Sequence, residues 1–453
     1  MAGTTRIRGA TVGLSGPTRT VLGFALAILL GGLVLSMSFS GRAEPVPFID
    51  ALFTSTSAVC VTGLSTIDVG QRLSPTGQGI LLGLIQLGGL GITTVSTFLL
   101  LTAGRATLGH ARGAGETLAA VRVQPLRLIW WVVGSTLAIE ACGVLLLLWR
   151  FEGDGAAWSA VFHSVSAFCN AGFSLNPDNL IGYRSDPVVL TTVSVLIMTG
   201  GIGFIVLRQV TLWAWSLLRG RRFPLFLHSR VVLLANAMLW LLGGAMFLGL
   251  ERNALLSDES FLVAAGNAMF HSISARTAGF NSVDLAFARE PTLFLMMFLM
   301  LIGASPGSCG GGMKVTTVSV ILATMFARLR GVEAVTVLRR TIPPATVQRS
   351  FLLLSIVLAL LTLIVTGLLF AEEAAPVEGR ADRLTVLSFE AVSAFGTVGL
   401  SAGVTPTLTT AGKLLIITAM FVGRVGPLVV ALAILRPRSH PPFAYPLEEL
   451  AIG

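Results

Sequence analysis

Residues 53–64 read FTSTSAVCVTGL, residues 162–173 FHSVSAFCNAGF, residues 270–280 FHSISARTAGF and residues 389–400 FEAVSAFGTVGL. Each stretch opens on Phe and carries a Ser-Ala pair four residues later: Ser57-Ala58, Ser166-Ala167, Ser274-Ala275 and Ser393-Ala394. Each then closes on a glycine followed by Leu or Phe: Gly63, Gly172, Gly279 and Gly399. A second marker follows every copy: QLGGLGI from Gln86, MTGGIGF from Met198, IGASPGSCGGGMK from Ile302 and FVGRVGPL from Phe421. Four matched units at similar separations are an internal repeat. The third copy is one residue shorter between Ser-Ala and Gly, so its local backbone need not match the rest.

The repeats are set among apolar segments long enough to cross a bilayer core, which takes about 20 residues. Eight such segments occur, at roughly 20–40, 76–102, 127–149, 187–218, 229–250, 291–327, 350–370 and 410–435. Composition agrees: 54% of the 453 residues are hydrophobic and 12% charged, about half the charge of a soluble domain. A soluble enzyme and a disordered chain are thereby excluded. The net charge of +9 does not point to nucleic acid, because the basic residues are spread over short loops. Arginines crowd 1–19, 103–127, 208–230, 328–349 and the tail from Arg436, which places that side and both termini in the cytoplasm. Acids such as Glu152, Asp154, Glu251, Asp258, Glu372 and Glu373 fall on the other face. They read either as solvated loop or as a field that concentrates cations. Cys60, Cys142, Cys169 and Cys309 have no metal-ligand spacing and read as small core residues. No cleavable signal is evident before the first span.

The expected fold class is an all-α polytopic membrane protein of four span–half-helix–span repeats: eight spans and four re-entrant half helices around a pseudo-fourfold pore. The units divide as 20–102, 103–218, 219–327 and 328–436, with cytoplasmic segments 1–19 and 437–453. About 10–12 helical residues reach only halfway through the bilayer. Half helices ending near Ser57, Ala167, Ala275 and Ala394 would aim carbonyl ends, with about half a negative charge each, at a cation. Glycine then lets the returning chain adopt positive φ. Carbonyls of four such loops, Val61-Thr62-Gly63, Asn170-Ala171-Gly172, Thr277-Ala278-Gly279 and Thr397-Val398-Gly399, can form a ring that replaces an ion's hydration shell. Thr397-Val398-Gly399 matches the start of the potassium-channel filter motif TVGYG.

These motifs make the chain resemble, over roughly residues 20–436, the membrane subunits of the Trk/Ktr/HKT superfamily of potassium transporters, most of all the bacterial KtrB type. One span before the first half helix suits the eight-span Ktr layout. In that family a glycine in each of four loops goes with potassium selectivity, and a serine in the first with sodium-preferring plant relatives. The resemblance implies potassium at the carbonyls of Thr62, Ala171, Ala278 and Val398. It further implies a gate below the filter in the broken sixth span, formed by Gly303, Ala304, Ser305, Pro306, Gly307, Ser308, Cys309, Gly310, Gly311 and Gly312. Arg424, costly within a span, would lie in the cavity beneath the filter, and Lys314 would reach the loop or snorkel to the cytoplasmic side. A homodimer and a cytosolic KtrA-like ring binding ATP, ADP or NAD are implied as partners, beside membrane lipid. The chain itself shows no nucleotide site, since Met313 stands where a phosphate-binding loop needs Lys. Sodium stimulation is a further implication, with no sodium site identified.

Glu140, in the third span, is expected to be satisfied by a polar neighbour. His163 and His271 are expected in outer helix packing, and Arg276 is expected to brace its loop. Two other classes would leave different marks in the sequence. An alternating-access symporter with broken helices would show inverted repeats, whereas these run in one direction. An enzyme would need convergent titratable groups, and neither a Ser/His/Asp set nor HExxH occurs.

Overall fold

The computed structural model describes residues 16–91, 125–220, 223–373 and 381–434. The segment 1–15, the second half of the second apolar segment, the loop 103–124 and the tail 437–453 lie outside the described residues.

The chain is mostly helical, and its helices follow the repeat. In each unit a long apolar helix leads into a short buried one, then into a further apolar helix, which in units two to four is interrupted. Unit one has α1 (Gly16–Leu35), α2 (Phe48–Cys60), the single turn α3 (Val69–Arg72) and α4 (Pro75–Leu90). Unit two has α5 (Pro125–Leu148), α6 (Ala156–Phe168), α7 (Pro187–Gly201) and α8 (Phe204–Leu218). Unit three has α9 (Leu227–Glu251), α10 (Phe261–Ser274), α11 (Glu290–Leu301) and α12 (Val315–Leu329). A two-residue hairpin, β1 (Thr336–Val337) and β2 (Arg340–Thr341), leads to unit four: α13 (Pro344–Ala371), α14 (Arg383–Gly396), α15 (Thr410–Val425) and α16 (Pro427–Ile434).

The eight apolar segments are not alike. Among the described residues, helices α1, α5, α9 and α13 are continuous and long and apolar enough to cross a membrane. Only 22–28% of each spanning window is buried within the protein, so most of that apolar surface faces outward, as lipid contact requires. The alternate segments of units two to four are interrupted. Helices α7 and α8 meet at 109°, α11 and α12 are parted by 302–314, and α15 ends at Gly426. Helix α4 ends at Gly91. The break residues Gly91, Gly203 and Gly426 have φ of 82°, 91° and 96°, a conformation that ends a helix and that glycine adopts without Cβ crowding. Sequence hydropathy merges these pieces because it does not register a change of direction.

Within each unit the short helix is clamped between its neighbours by small residues. A Cβ on Gly31 would strike Ser55 Oγ and the Leu84 side chain; Gly143 faces Ser164 and Leu196, and Gly243 faces Ser272 and Leu299. The hydroxyls of Ser55, Ser164 and Ser272 donate to the carbonyls of Ile28, Glu140 and Trp240 at 2.8, 2.7 and 2.8 Å. In unit four the serine is Ala391 and Gly367 faces Leu415 alone. The initial phenylalanines of the repeat, Phe53, Phe162, Phe270 and Phe389, are fully buried. Side-chain caps fix where the alternate helices begin: Ser74 accepts from Gly77 N–H (3.1 Å), Asp186 from Val188 and Val189, and Thr409 from Gly412 (3.1 Å).

Candidate ion-conducting site

The residue two before each repeat glycine is left-handed. Val61, Asn170, Thr277 and Thr397 have φ of 57°, 59°, 72° and 50°. For β-branched Val and Thr this is a strained backbone, of the kind that clusters at functional sites. The turn is held from within. Ser57 Oγ and Ser393 Oγ accept from the N–H of Gly63 and Gly399 at 2.9 and 3.1 Å. In the other two units Ser166 and Ser274 donate to the carbonyls of Phe173 and Phe280. The repeated Ser of Ser-Ala is therefore a clamp on its own loop.

The four loops meet. A Cβ on Gly63 would collide with the carbonyl oxygen of Ala171, one on Gly172 with that of Ala278, one on Gly279 with that of Val398, and one on Gly399 with that of Thr62. The contacts run through all four units and return to the first, so the glycines and the carbonyls of Thr62, Ala171, Ala278 and Val398 form a closed cycle. No side chain fits there. The hydroxyls of Thr62, Thr277 and Thr397 are buried without a partner among the described residues, whereas the Asn170 amide is placed to donate to the carbonyls of Phe168 and Ile197.

Beyond the ring the returning chain is held by the residue after the repeat's Phe. Burial and hydrogen bonding, not outer packing, define His163 and His271. His163 Nδ1 donates to the Ser159 carbonyl at 2.8 Å, leaving Nε2 to accept from Ser174 Oγ at 2.8 Å. His271 Nε2 accepts from Ser282 N–H at 3.3 Å, with its ring stacked on Phe247. Glu390 accepts from Ser401 Oγ, Ala402 N–H (3.1 Å) and Thr405 Oγ1 (2.9 Å). Sequence spacing could not reveal this, since the partners lie across the turn. Outside the ring opens a vestibule of about 520 Å³ lined by the four glycines and by Asp68, Asp178 and Asp284. Two of the acids expected on that face serve otherwise: buried Glu251 accepts from Arg289 N–H (2.9 Å) and Thr292, and buried Glu372 from Thr409 (2.9 Å to N–H, 2.7 Å to Oγ1).

On the other side of the ring lies the loop 302–314. Gly310 packs against Thr277 Oγ1 and Gly311 against Thr397 Oγ1, each so tightly that a Cβ could not be accommodated. Ser305 and Cys309 donate backbone N–H to the carbonyls of Gly201 and Gly200 at 3.2 and 3.1 Å, and Phe204 N–H donates to Gly307 at 2.9 Å. The loop is thus stitched to the break between α7 and α8. Gly303, Ala304, Pro306, Ser308 and Gly312 belong to the same segment, with Ser308 Oγ donating to Ser305 O at 2.6 Å. Lys314 Nζ turns back onto the carbonyls of Gly310 (2.8 Å) and Gly311 (3.3 Å). Arg424 donates to the carbonyls of Cys309 and Gly88, bridging the loop to α4. Glu140 meets Gln86 Nε2 at 3.5 Å, the polar neighbour expected of it. Arg276 donates to Ile302 and Gly303 carbonyls, which brace the loop 302–314 more than its own. Cys60, Cys169 and Cys309 are buried and free, and Cys142 is exposed.

A family model described as "TrkH: Cation transport protein" matches residues 27–440. The chain is 36% identical over 442 residues to the potassium/sodium uptake protein NtpJ of Enterococcus hirae, covering 95% of this chain and 96% of that one. It is 38% identical over 435 residues to the Ktr system potassium uptake protein B of Vibrio alginolyticus, with 93% and 92% covered. In fold it is similar to the crystal structure of the potassium transporter TrkH from Vibrio parahaemolyticus, at a TM-score of 0.73 and 19% identity, over 96% of this chain and 87% of that one. A match of this extent decides the family: the chain belongs to the TrkH family of cation transport proteins.

Proposed function

We propose that this chain carries potassium into the cell through a pore on the axis of four pseudo-symmetric units, eight membrane segments in all, with both termini cytoplasmic. The observation that carries the reading is the closed cycle in which each loop's glycine abuts the next loop's carbonyl. Such a ring supplies oxygens in place of water at the point where an ion must dehydrate. The filter is then Val61–Gly63, Asn170–Gly172, Thr277–Gly279 and Thr397–Gly399, with potassium at the carbonyls of Thr62, Ala171, Ala278 and Val398. Short helices α2, α6, α10 and α14 end at the ring, where the negative ends of their dipoles favour a cation. Asp68, Asp178 and Asp284 raise the local cation concentration in the vestibule.

The loop 303–312, fastened by Lys314 and Arg424, is the gate, and Arg424 adds a positive charge to the path. The name of the Vibrio alginolyticus relative supports reading the chain as one component of a Ktr-like system. We assign it a second copy of itself and a cytosolic nucleotide-binding ring as partners, with sodium as a stimulant and lipid as its surroundings.

The test is flux of potassium against sodium with purified protein in liposomes, with and without the regulatory ring. Potassium flux that exceeds sodium flux is expected. Equal flux of the two ions, or none even with the ring supplied, refutes the assignment.

A further inference from the structure

Arg276 departs from the repeat. It stands where the other copies have two residues, Val59-Cys60, Phe168-Cys169 and Phe395-Gly396. Its unit is also the one whose alternate helix opens into the loop 302–314. The side chain is 3% exposed and, among the described residues, pairs with no carboxylate. A guanidinium in a membrane interior is expensive, and packing alone is served elsewhere in the repeat by Val or Phe.

Its bonds all lead to the start of the gate loop. Nε donates to the Ile302 carbonyl at 2.7 Å, and Nη2 donates to the Gly303 carbonyl at 2.9 Å and to Asn236 Oδ1 at 3.1 Å. Asn236, on α9, donates in turn to Ser305 Oγ at 3.1 Å. The next residue, Thr277, is the strained first residue of the filter loop, and Gly310 packs on its hydroxyl. Two separate points of the gate loop therefore grip the dipeptide Arg276-Thr277, at whose second residue the filter loop begins.

We propose that Arg276 is a positioning residue that couples the gate loop to the filter, so that the loop cannot move without shifting the filter's third loop. This rests on the reading of those two segments as filter and gate. The planar fork of arginine suits the task, because it holds two adjacent carbonyls in fixed relation. Asn236 extends the link to Ser305, so displacement of the loop acts on the filter through a rigid chain of bonds.

The test uses full-length protein in liposomes, comparing wild type with R276Q, R276K, N236L and the R276Q/N236L pair. R276Q is expected to raise basal potassium flux and to lower the potassium-to-sodium ratio together, each by at least about fivefold, the lower end of coupling between two sites. R276K, whose ammonium cannot fork across both carbonyls, should fall between. The pair should do no more than R276Q alone, because both cut one link. A purely structural brace would change folded yield or total flux and leave the ratio at the wild-type value; that result overturns the proposal. Should R276Q fail to fold, N236L decides by the same criterion. G63S is run alongside: if wild type shows no potassium preference or G63S leaves the ratio unmoved, it is the filter reading that falls, whereas a shifted ratio in G63S with none in R276Q or N236L refutes the coupling alone.

Discussion

At the scale of single residues, the ring's glycines are the sharpest feature. Gly399 has a φ of 95°, and its Cα faces the Thr62 carbonyl with no room for a methyl. Gly399→Ala would therefore combine a left-handed backbone, about 1 kcal/mol or more for an alanine, with displacement of the Thr62 carbonyl proposed to face the ion. Loss of selective potassium flux, with folded protein still recovered, is expected by liposome assay; unchanged selectivity would place the ion path elsewhere. Gly63→Ser is a milder probe, since its hydroxyl adds an oxygen while pushing on the Ala171 carbonyl. Weaker discrimination against sodium is expected in the same assay. Glu390 offers a third residue-scale prediction. Its carboxylate holds the chain after Gly399 by three groups, so Glu390→Leu should destabilise the protein by about 2–3 kcal/mol, as loss of buried charge-assisted bonds does. A thermal unfolding midpoint equal to wild type would count against that brace.

At the scale of elements, the loop 302–314 is held by backbone bonds to the α7–α8 break and by the side chains of Lys314 and Arg424. If the loop is the proposed gate, deletion of 304–312 should raise potassium flux; flux at or below wild type in well-folded protein would sink the gate assignment. Outside the membrane, Asp186 starts α7 by capping Val188 and Val189 and pairs with Arg150 at 2.7 Å. Partial burial tends to raise its carboxyl, but the bonds from Arg150, Val189 and Val188 outweigh this and hold it below the usual aspartate value. Its contribution to stability is thus fully present above the unfolded value of about 4 and is lost as pH falls through the lower, folded one. Asp186→Ala should cost about 1 kcal/mol at neutral pH, with the difference from wild type shrinking in acid-titrated thermal melts.

At the scale of the whole molecule, the four units are joined end to end by polar clasps. Trp158 Nε1 donates to Gln78 Oε1 (2.8 Å), Arg184 pairs with Glu259 (2.9 Å), and Asp382 N–H donates to Glu290 (3.3 Å). Lys413 and Asp50, 2.6 Å apart and mostly shielded, join the last unit to the first, with Thr66 also donating to Asp50. Lys413→Met would leave that carboxylate short of its charge partner, at a cost of about 2 kcal/mol. The Lys413→Met/Asp50→Asn pair should be less destabilised than the sum of its single changes, which thermal unfolding in detergent would measure.

Much of this was legible in the residues themselves. Repetition of Phe, Ser-Ala and Gly fixed the number of units, and the residue types at 61–63, 170–172, 277–279 and 397–399 were enough to single out loops rich in exposed backbone. Apolar length identified eight segments of membrane-crossing length, the four continuous helices among them, because lipid imposes a one-dimensional requirement that a sequence displays directly. What could not be read was anything that depends on direction or on partners distant along the chain. The 109° turn between α7 and α8 leaves hydropathy unaltered, and the roles of His163, His271 and Glu390 depend on atoms that approach only after the chain reverses. Even the cyclic order of glycine against carbonyl was absent from the sequence: a repeat specifies four similar parts, but only packing in three dimensions determines which part touches which, and that the fourth returns to the first.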